Sequence, residues 1–187
     1  VPQLTGANVA FAVRARVCLL RDLGAPLAPD NAWGIIQGLE TAPLRMKQHC
    51  SNAEKVVNFL KKHNIPLIMD NTAAPVICKP IEHGAAVVVH SLTKFIGGHG
   101  TVIGGCLVDG GNFDWTANPK RQPNFNEPDA SYGGAVWGEV VPQLTGANVA
   151  FAVRARVCLL RDLGAPLAPD NAWGIIQGLE TAPLRMK

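Results

Sequence analysis

Apolar residues recur at helical spacing through Phe11–Leu23 (FAVRARVCLLRDL), and Gly24 follows. That pattern predicts an amphipathic helix stopped by a left-handed glycine. The same pattern returns at Phe151–Leu163, ahead of Gly164. A longer helix is predicted over Thr41–His63, with Pro43 acceptable only because it falls near the start. Its stripe Ala53, Val56, Val57, Leu60 follows i, i+3, i+4, i+7 and is expected to face a core. Three short runs read as strands: Ile65–Met69, Ala85–Val89 and Thr101–Val108, the last weakened by Gly104 and Gly105. The unbroken apolar character of Ala85–Val89 suits a parallel strand covered on both faces. Asn112–Tyr132, rich in Asn, Pro and Gly, predicts an irregular excursion.

Ordinary pattern reading is overridden at one point. Val1–Lys47 and Val141–Lys187 are identical letter for letter. Structural repeats diverge, and a solenoid needs further copies. The identity therefore reads as a duplication, an assembly artefact or a frame read past its start on a circle. It suggests three segments: 1–63, helices of a domain junction; 64–140, an α/β segment; and 141–187, the repeat of 1–47. Both copies carry the same apolar face, and one sheet surface accommodates that face once. One copy is expected to pack and the other to be displaced, mobile or docked on a second molecule.

Composition narrows the class. At 48% hydrophobic and 17% charged residues, the chain is suited to a core rather than to disorder. The net charge of +3 is spread without a long basic run, so neither nucleic acid nor a membrane surface is an expected partner. The five cysteines, at 18, 50, 78, 106 and 158, form no CxxC pair, so reduced thiols are expected rather than a zinc site or disulfide framework. No secretory signal or membrane-length apolar run is visible, and a cytoplasmic location is expected. The chain opens on Val1 rather than Met, so a preceding segment is also expected.

The chemistry concentrates between Asp70, in Asp-Asn-Thr, and Lys94, in VVVHSLTKFIGGHG. Asp70 ends one predicted strand and Lys94 follows the next. In an open parallel sheet such strand ends line the ligand crevice. Pyridoxal phosphate needs a lysine for its Schiff base, a carboxylate to keep its ring nitrogen protonated and donors for its phosphate. Lys94, Asp70 and the alternating hydroxyls of Ser91 and Thr93 meet those needs.

Beyond this pattern, the phrases DNTAAP, HGAAVVVHSLTKFIGGHGTVIGG and VDGGNFDW resemble the lysine region of the Cys/Met-metabolism pyridoxal-phosphate enzymes. HSLTKFIGGHG and DGGNFDW are similar to the O-acetylhomoserine sulfhydrylase branch of that family. LLRDLGAPLAP and NAWGIIQGLETAPLRMKQH resemble the later segment, where the large domain passes into the C-terminal one. The resemblance implies an α/β fragment of the fold-type-I large domain, a parallel-type sheet with flanking helices. It implies pyridoxal 5'-phosphate as cofactor, with Lys94 catalytic and Asp70, Ser91, Thr93 and Lys94 binding it. The implied reaction is γ-replacement on O-acetylhomoserine by sulfide or a thiol to give homocysteine, in a homo-oligomer. The order departs from the family: 64–187 runs in family order, whereas 1–63 resembles material that follows it. The family's front segment, with its phosphate loop, ring-stacking aromatic and groups reaching a neighbouring subunit, has no counterpart among these residues. The arginine for the substrate carboxylate is not identifiable. The alternative is therefore a non-catalytic product without a complete site.

Other motifs have simpler explanations. Ser91-Leu-Thr-Lys94 spells the S-x-x-K of penicillin-recognising enzymes, but an apolar strand precedes it and no KTG exists. Gly98-His-Gly100 with Gly104 misses dinucleotide-loop spacing and suits tight turns. His83, His90 and His99 lack ligand spacing, so no metal is expected. Arg154, Arg156 and Arg161 fit a polar helix face, and Trp115 and Trp137 a core or interface.

Overall fold

The computed structural model describes residues 6–24 and 26–186. Val1 and Lys187, the outer ends of the two copies, lie outside them. The chain divides into two units, Val1–Glu54 and Lys55–Lys187.

In the first unit, helix α1 (Ala10–Arg14) runs on as a π-helical stretch, Ala15–Asp22, and Gly24 follows at φ +70°. Helix α2 spans Pro29–Lys62 and continues past the unit boundary. It begins well before the predicted Thr41. Pro29 suits a first turn, where its missing N–H costs nothing. Pro43 consequently lies inside the helix rather than near its start. The Leu39 carbonyl loses its intrahelical donor there, a loss that water can make good on an exposed helix. The stripe expected to face a core does so only in part. Val57 and Leu60 are half-buried, Ala53 and Val56 are exposed, and no residue of α2 is buried.

The second unit is built on three strands in the order β1 (Ile68–Asp70), β2 (Val87–Ser91), β3 (Gly105–Asp109). β1 and β2 are parallel, with Ile68 opposite Val87 and Asp70 opposite Val89. Residues 71–86 supply the crossover, including a 3-10 turn at Pro80–His83. β3 is antiparallel to β2, with Val87 opposite Asp109 and Ser91 opposite Gly105. The sheet is thus mixed rather than wholly of the parallel type. The cause is local: 92–104 folds straight back without the crossover that a parallel neighbour requires. Of the apolar run Ala85–Val89, Ala85–Val88 is buried and Val87 fully enclosed, whereas Val89 is exposed.

Around the sheet come α3 (Pro123–Asn126), α4 (Trp137–Thr145), α5 (Ala150–Arg154) with a π-helical continuation Ala155–Asp162, and α6 (Pro169–Arg185). The core joins Ala86 and Val87 to Trp115, Phe125, Trp137, Val141 and Ala150. Phe151 stacks on Trp115 at 5.1 Å between ring centroids, and Trp115 lies 4.7 Å from Phe125. Asp109, at the end of β3, accepts a hydrogen bond from Ala152 N (3.1 Å) and so docks the first turn of α5. Arg154, expected on a polar face, is half-buried with its guanidinium 5.9 Å from the Phe125 ring centroid.

The two copies of the repeat share local structure and differ in burial. Each has a short α-helix, a π-helical stretch and a proline-started helix. Ile35 is 54% exposed and its twin Ile175 is 4% exposed. Phe11 is 90% exposed, whereas Phe151 packs against the core. Sequence sets the helices; neighbours decide which copy is buried.

Candidate active-site edge around Lys94

The parallel register puts the C-terminal ends of β1 and β2 on one edge of the sheet. Asp70 closes β1, Ser91 closes β2, and Lys94 lies in the turn that follows, its amide donating to Ser91 O (3.2 Å). All four anticipated residues therefore lie at a single edge. Asp70 and Lys94 are exposed; Ser91 and Thr93 are half-buried.

Thr72, which sequence reasoning passed over, ties the two strand ends together. Its amide donates to Asp70 Oδ1 (2.9 Å), and its hydroxyl accepts from Ser91 N (2.8 Å). The Thr72 hydroxyl, then its amide, hold the Asp70 carboxyl below its ordinary range, with a smaller electrostatic contribution from His90. Both contacts favour the ionised form of the Asp70 carboxyl. The available signal was the Asp-Asn-Thr turn itself, since Asp commonly accepts from the amide two residues on. Asn71, between them, is buried and donates from Nδ2 to Cys78 O (2.9 Å), fixing the turn.

Thr93 has a backbone role. Its hydroxyl accepts from Gly104 N (3.0 Å) and donates to Gly104 O (3.3 Å), bracing the return into β3. After Lys94 the chain turns tightly: Gly97 N bonds Leu92 O and Gly98 N bonds Lys94 O, both at 2.8 Å. Gly98 has φ +73° and Gly100 φ +66°, the tight turns expected there. Trp115 and Trp137 are both buried core residues, and Trp137 Nε1 donates to Asp129 (2.9 Å).

The family model of the Cys/Met metabolism PLP-dependent enzymes matches residues 4–65 and, separately, 60–187. The chain belongs to that family. The two matches meet where residues 1–63 give way to the strand-bearing segment. Among curated relatives, the O-acetyl-L-homoserine sulfhydrylase of Leptospira meyeri is 53% identical over 136 residues, covering 71% of this chain and 30% of its own length. The homocysteine/cysteine synthase of Saccharomyces cerevisiae is 43% identical over 141 residues, covering 74% of this chain and 31% of its own length. The chain thus spans under a third of these relatives. A crystal structure of a putative O-acetylhomoserine (thiol)-lyase from Campylobacter jejuni superposes with a TM-score of 0.60 at 41% identity. That match covers 70% of this chain and 31% of the other, and the Campylobacter protein carries a pyridoxyl-lysine monophosphate. The α/β fragment of the family fold, expected from the residues, is what this neighbour has in common with the chain.

The groups on the edge fit the family's cofactor. A carboxylate, a primary amine and two hydroxyls belong to residues at this one edge, and the Thr72 hydrogen bonds lower the carboxyl's pKa. Among the described residues no helix is long and apolar enough to cross a membrane.

Proposed function

We propose that Lys94 is the cofactor lysine of a pyridoxal-phosphate site of the O-acetylhomoserine sulfhydrylase type. The reaction is replacement of acetate in O-acetylhomoserine by sulfide or a thiol, giving homocysteine or a thioether, in a cytoplasmic homo-oligomer. The observation that carries this reading is the β1–β2 register, which brings Asp70 and the Ser91–Lys94 turn to one edge. Bound there, the cofactor supplies an electron sink for carbanion chemistry. Asp70 holds the proton on its ring nitrogen. Lys94 would hold the cofactor through its amine and would carry protons at the substrate's Cα and Cβ. Ser91 donates to the phosphate. Thr93 joins it by turning its proton from Gly104 O, the longer of its two bonds, while still accepting from Gly104 N.

The open exposure of Asp70 and Lys94 favours a second reading for these 187 residues by themselves, namely cofactor capture without full turnover. Both readings share one test. The chain is incubated with pyridoxal phosphate, reduced with borohydride, digested and mapped by mass spectrometry. Lys94 is expected to carry more label than any other lysine, and Asp70→Asn to lower its share. Uniform labelling of exposed lysines rejects the site.

A further inference from the structure

Several hydrogen bonds converge on one arginine beside the Lys94 turn. Arg185 Nη1 donates to Phe95 O (2.5 Å) and Nη2 to Ile96 O (3.1 Å). On its own helix, Nε donates to Thr181 Oγ1 (3.0 Å) and Nη2 to Gly178 O (2.8 Å). The guanidinium therefore bridges α6 and the first two carbonyls after Lys94. Backbone contact reinforces the bridge. A Cβ at Gly178 would lie 2.1 Å from Gly97 O, and one at Gly98 would lie 2.5 Å from Arg185 Cζ. Helix, guanidinium and turn are in direct contact over 95–98.

The repeat contains its own control. Arg45 is the same residue in the first copy. It makes the same two intrahelical bonds, Nε to Thr41 Oγ1 (3.0 Å) and Nη2 to Gly38 O (2.5 Å). The local sequence thus sets the arginine's pose, and the second copy adds the loop carbonyls. A side chain already held by its helix loses less rotamer freedom when it grips a neighbour. A planar guanidinium presents donors in a rigid fork, whereas a lysine ammonium is a single flexible point.

We propose that Arg185 is a positioning residue for Lys94. By holding Phe95 O and Ile96 O it fixes the 95–98 turn, and with it the direction in which Lys94 leaves the end of β2. This rests on the reading of Lys94 as the cofactor lysine. Its role is distinct from that of Asp70, Ser91 and Thr93, because Arg185 acts through backbone and needs no contact with the cofactor.

The experiment uses the full chain with Arg185→Ala, Arg185→Lys, Arg45→Ala and the double variant Arg45→Ala/Arg185→Ala. Two quantities are read: amide hydrogen exchange at Gly97 and Gly98, whose amides are bonded within the turn, and the share of borohydride-trapped pyridoxal phosphate on Lys94. Arg185→Ala is expected to speed exchange at Gly97 and Gly98 by about tenfold or more and to reduce Lys94 to the labelling of an ordinary exposed lysine. Arg45→Ala is expected to change neither. The double variant, which removes any substitution by the first copy, is expected to match Arg185→Ala. Arg185→Lys keeps the charge and the helix but lacks the fork, and is expected to restore slow exchange only in part. If Arg185→Ala unfolds the second unit, the lysine variant decides the matter. Unchanged exchange and labelling in the double variant, or equal effects from Arg45→Ala, overturn the proposal. A wild-type chain that labels its lysines uniformly sinks the assignment of Lys94 instead, and exchange at Gly97 and Gly98 still decides whether Arg185 holds the turn.

Discussion

Single residues behave differently here in identical sequence. A Cβ added at Gly38 would meet nothing within 4 Å, whereas one at its twin Gly178 would run into the Gly97 backbone. Gly38→Ala is therefore expected to stabilise its helix by about 0.5–1 kcal/mol, through lost unfolded-state entropy and better helix propensity. Gly178→Ala is expected to cost about 1–3 kcal/mol, because backbone cannot yield as a side chain can. Denaturant unfolding and local hydrogen exchange check the opposite signs; two stabilising substitutions would contradict the packing of α6. Asp70 gives the pH-dependent case. Its folded pKa lies below the ordinary 3.8, so its contribution is present above that value and is lost as pH falls through the lowered one. Thr72→Val removes the hydroxyl and is expected to move the Asp70 titration, followed by carboxyl NMR, back up toward the ordinary value. An unmoved midpoint would show that Thr72 is not its cause. The placement of Asp70, Ser91, Thr93 and Lys94 at one sheet edge was legible from the predicted strands and their spacing. Thr72 was not, because its role depends on reaching a strand that follows it by 19 residues in the chain.

At the scale of elements, the strands were legible within a few residues, since short apolar runs bounded by glycine and polar residues have few alternatives. The direction of β3 was not, because orientation is set by the length and path of 92–104 rather than by the composition of the strand. The start of α2 was missed for a related reason: Pro43 resembled a beginning, and the true first-turn proline, Pro29, stood earlier. The repeated helices are the sharpest case. Their pattern predicts an apolar face in both copies, and among the described residues the core cluster takes its members from the second copy. Phe151→Ala is expected to destabilise the second unit by about 2–3 kcal/mol, somewhat under the usual loss for a fully enclosed phenylalanine. Phe11→Ala is expected to change stability by less than about 0.5 kcal/mol. Hydrogen exchange should likewise protect Ala150–Arg154 more than Ala10–Arg14. Equal, high protection of both helices in a monomer would refute the account.

At the scale of the whole molecule, family membership and α/β class were readable, while the consequence of the unusual segment order was not. The matched relatives are more than three times as long as the portion found here, with 30% and 31% of their lengths covered. Positioning of reacting groups is worth on the order of 7–11 kcal/mol in rate, and these residues offer no identified arginine for the substrate carboxylate. The 187 residues alone are accordingly expected to make homocysteine from O-acetylhomoserine and sulfide far more slowly than the family's enzymes. Racemisation or slow transamination of the substrate, which need only the ring and a base, are expected to persist longer. Rapid homocysteine formation that disappears in Lys94→Ala would overturn this expectation. The duplication has one more consequence. The surface around Trp115 and Phe125 fits the repeated segment once, and the two candidates for it are chemically indistinguishable. Contact energies cancel in that competition, leaving only the tethers to discriminate. The second copy begins within α4, a few residues from Trp137, which is already part of the surface. A short tether gives a high effective concentration, so the winner is chosen by chain connectivity, a polymer property that no substitution made equally in both copies can reverse.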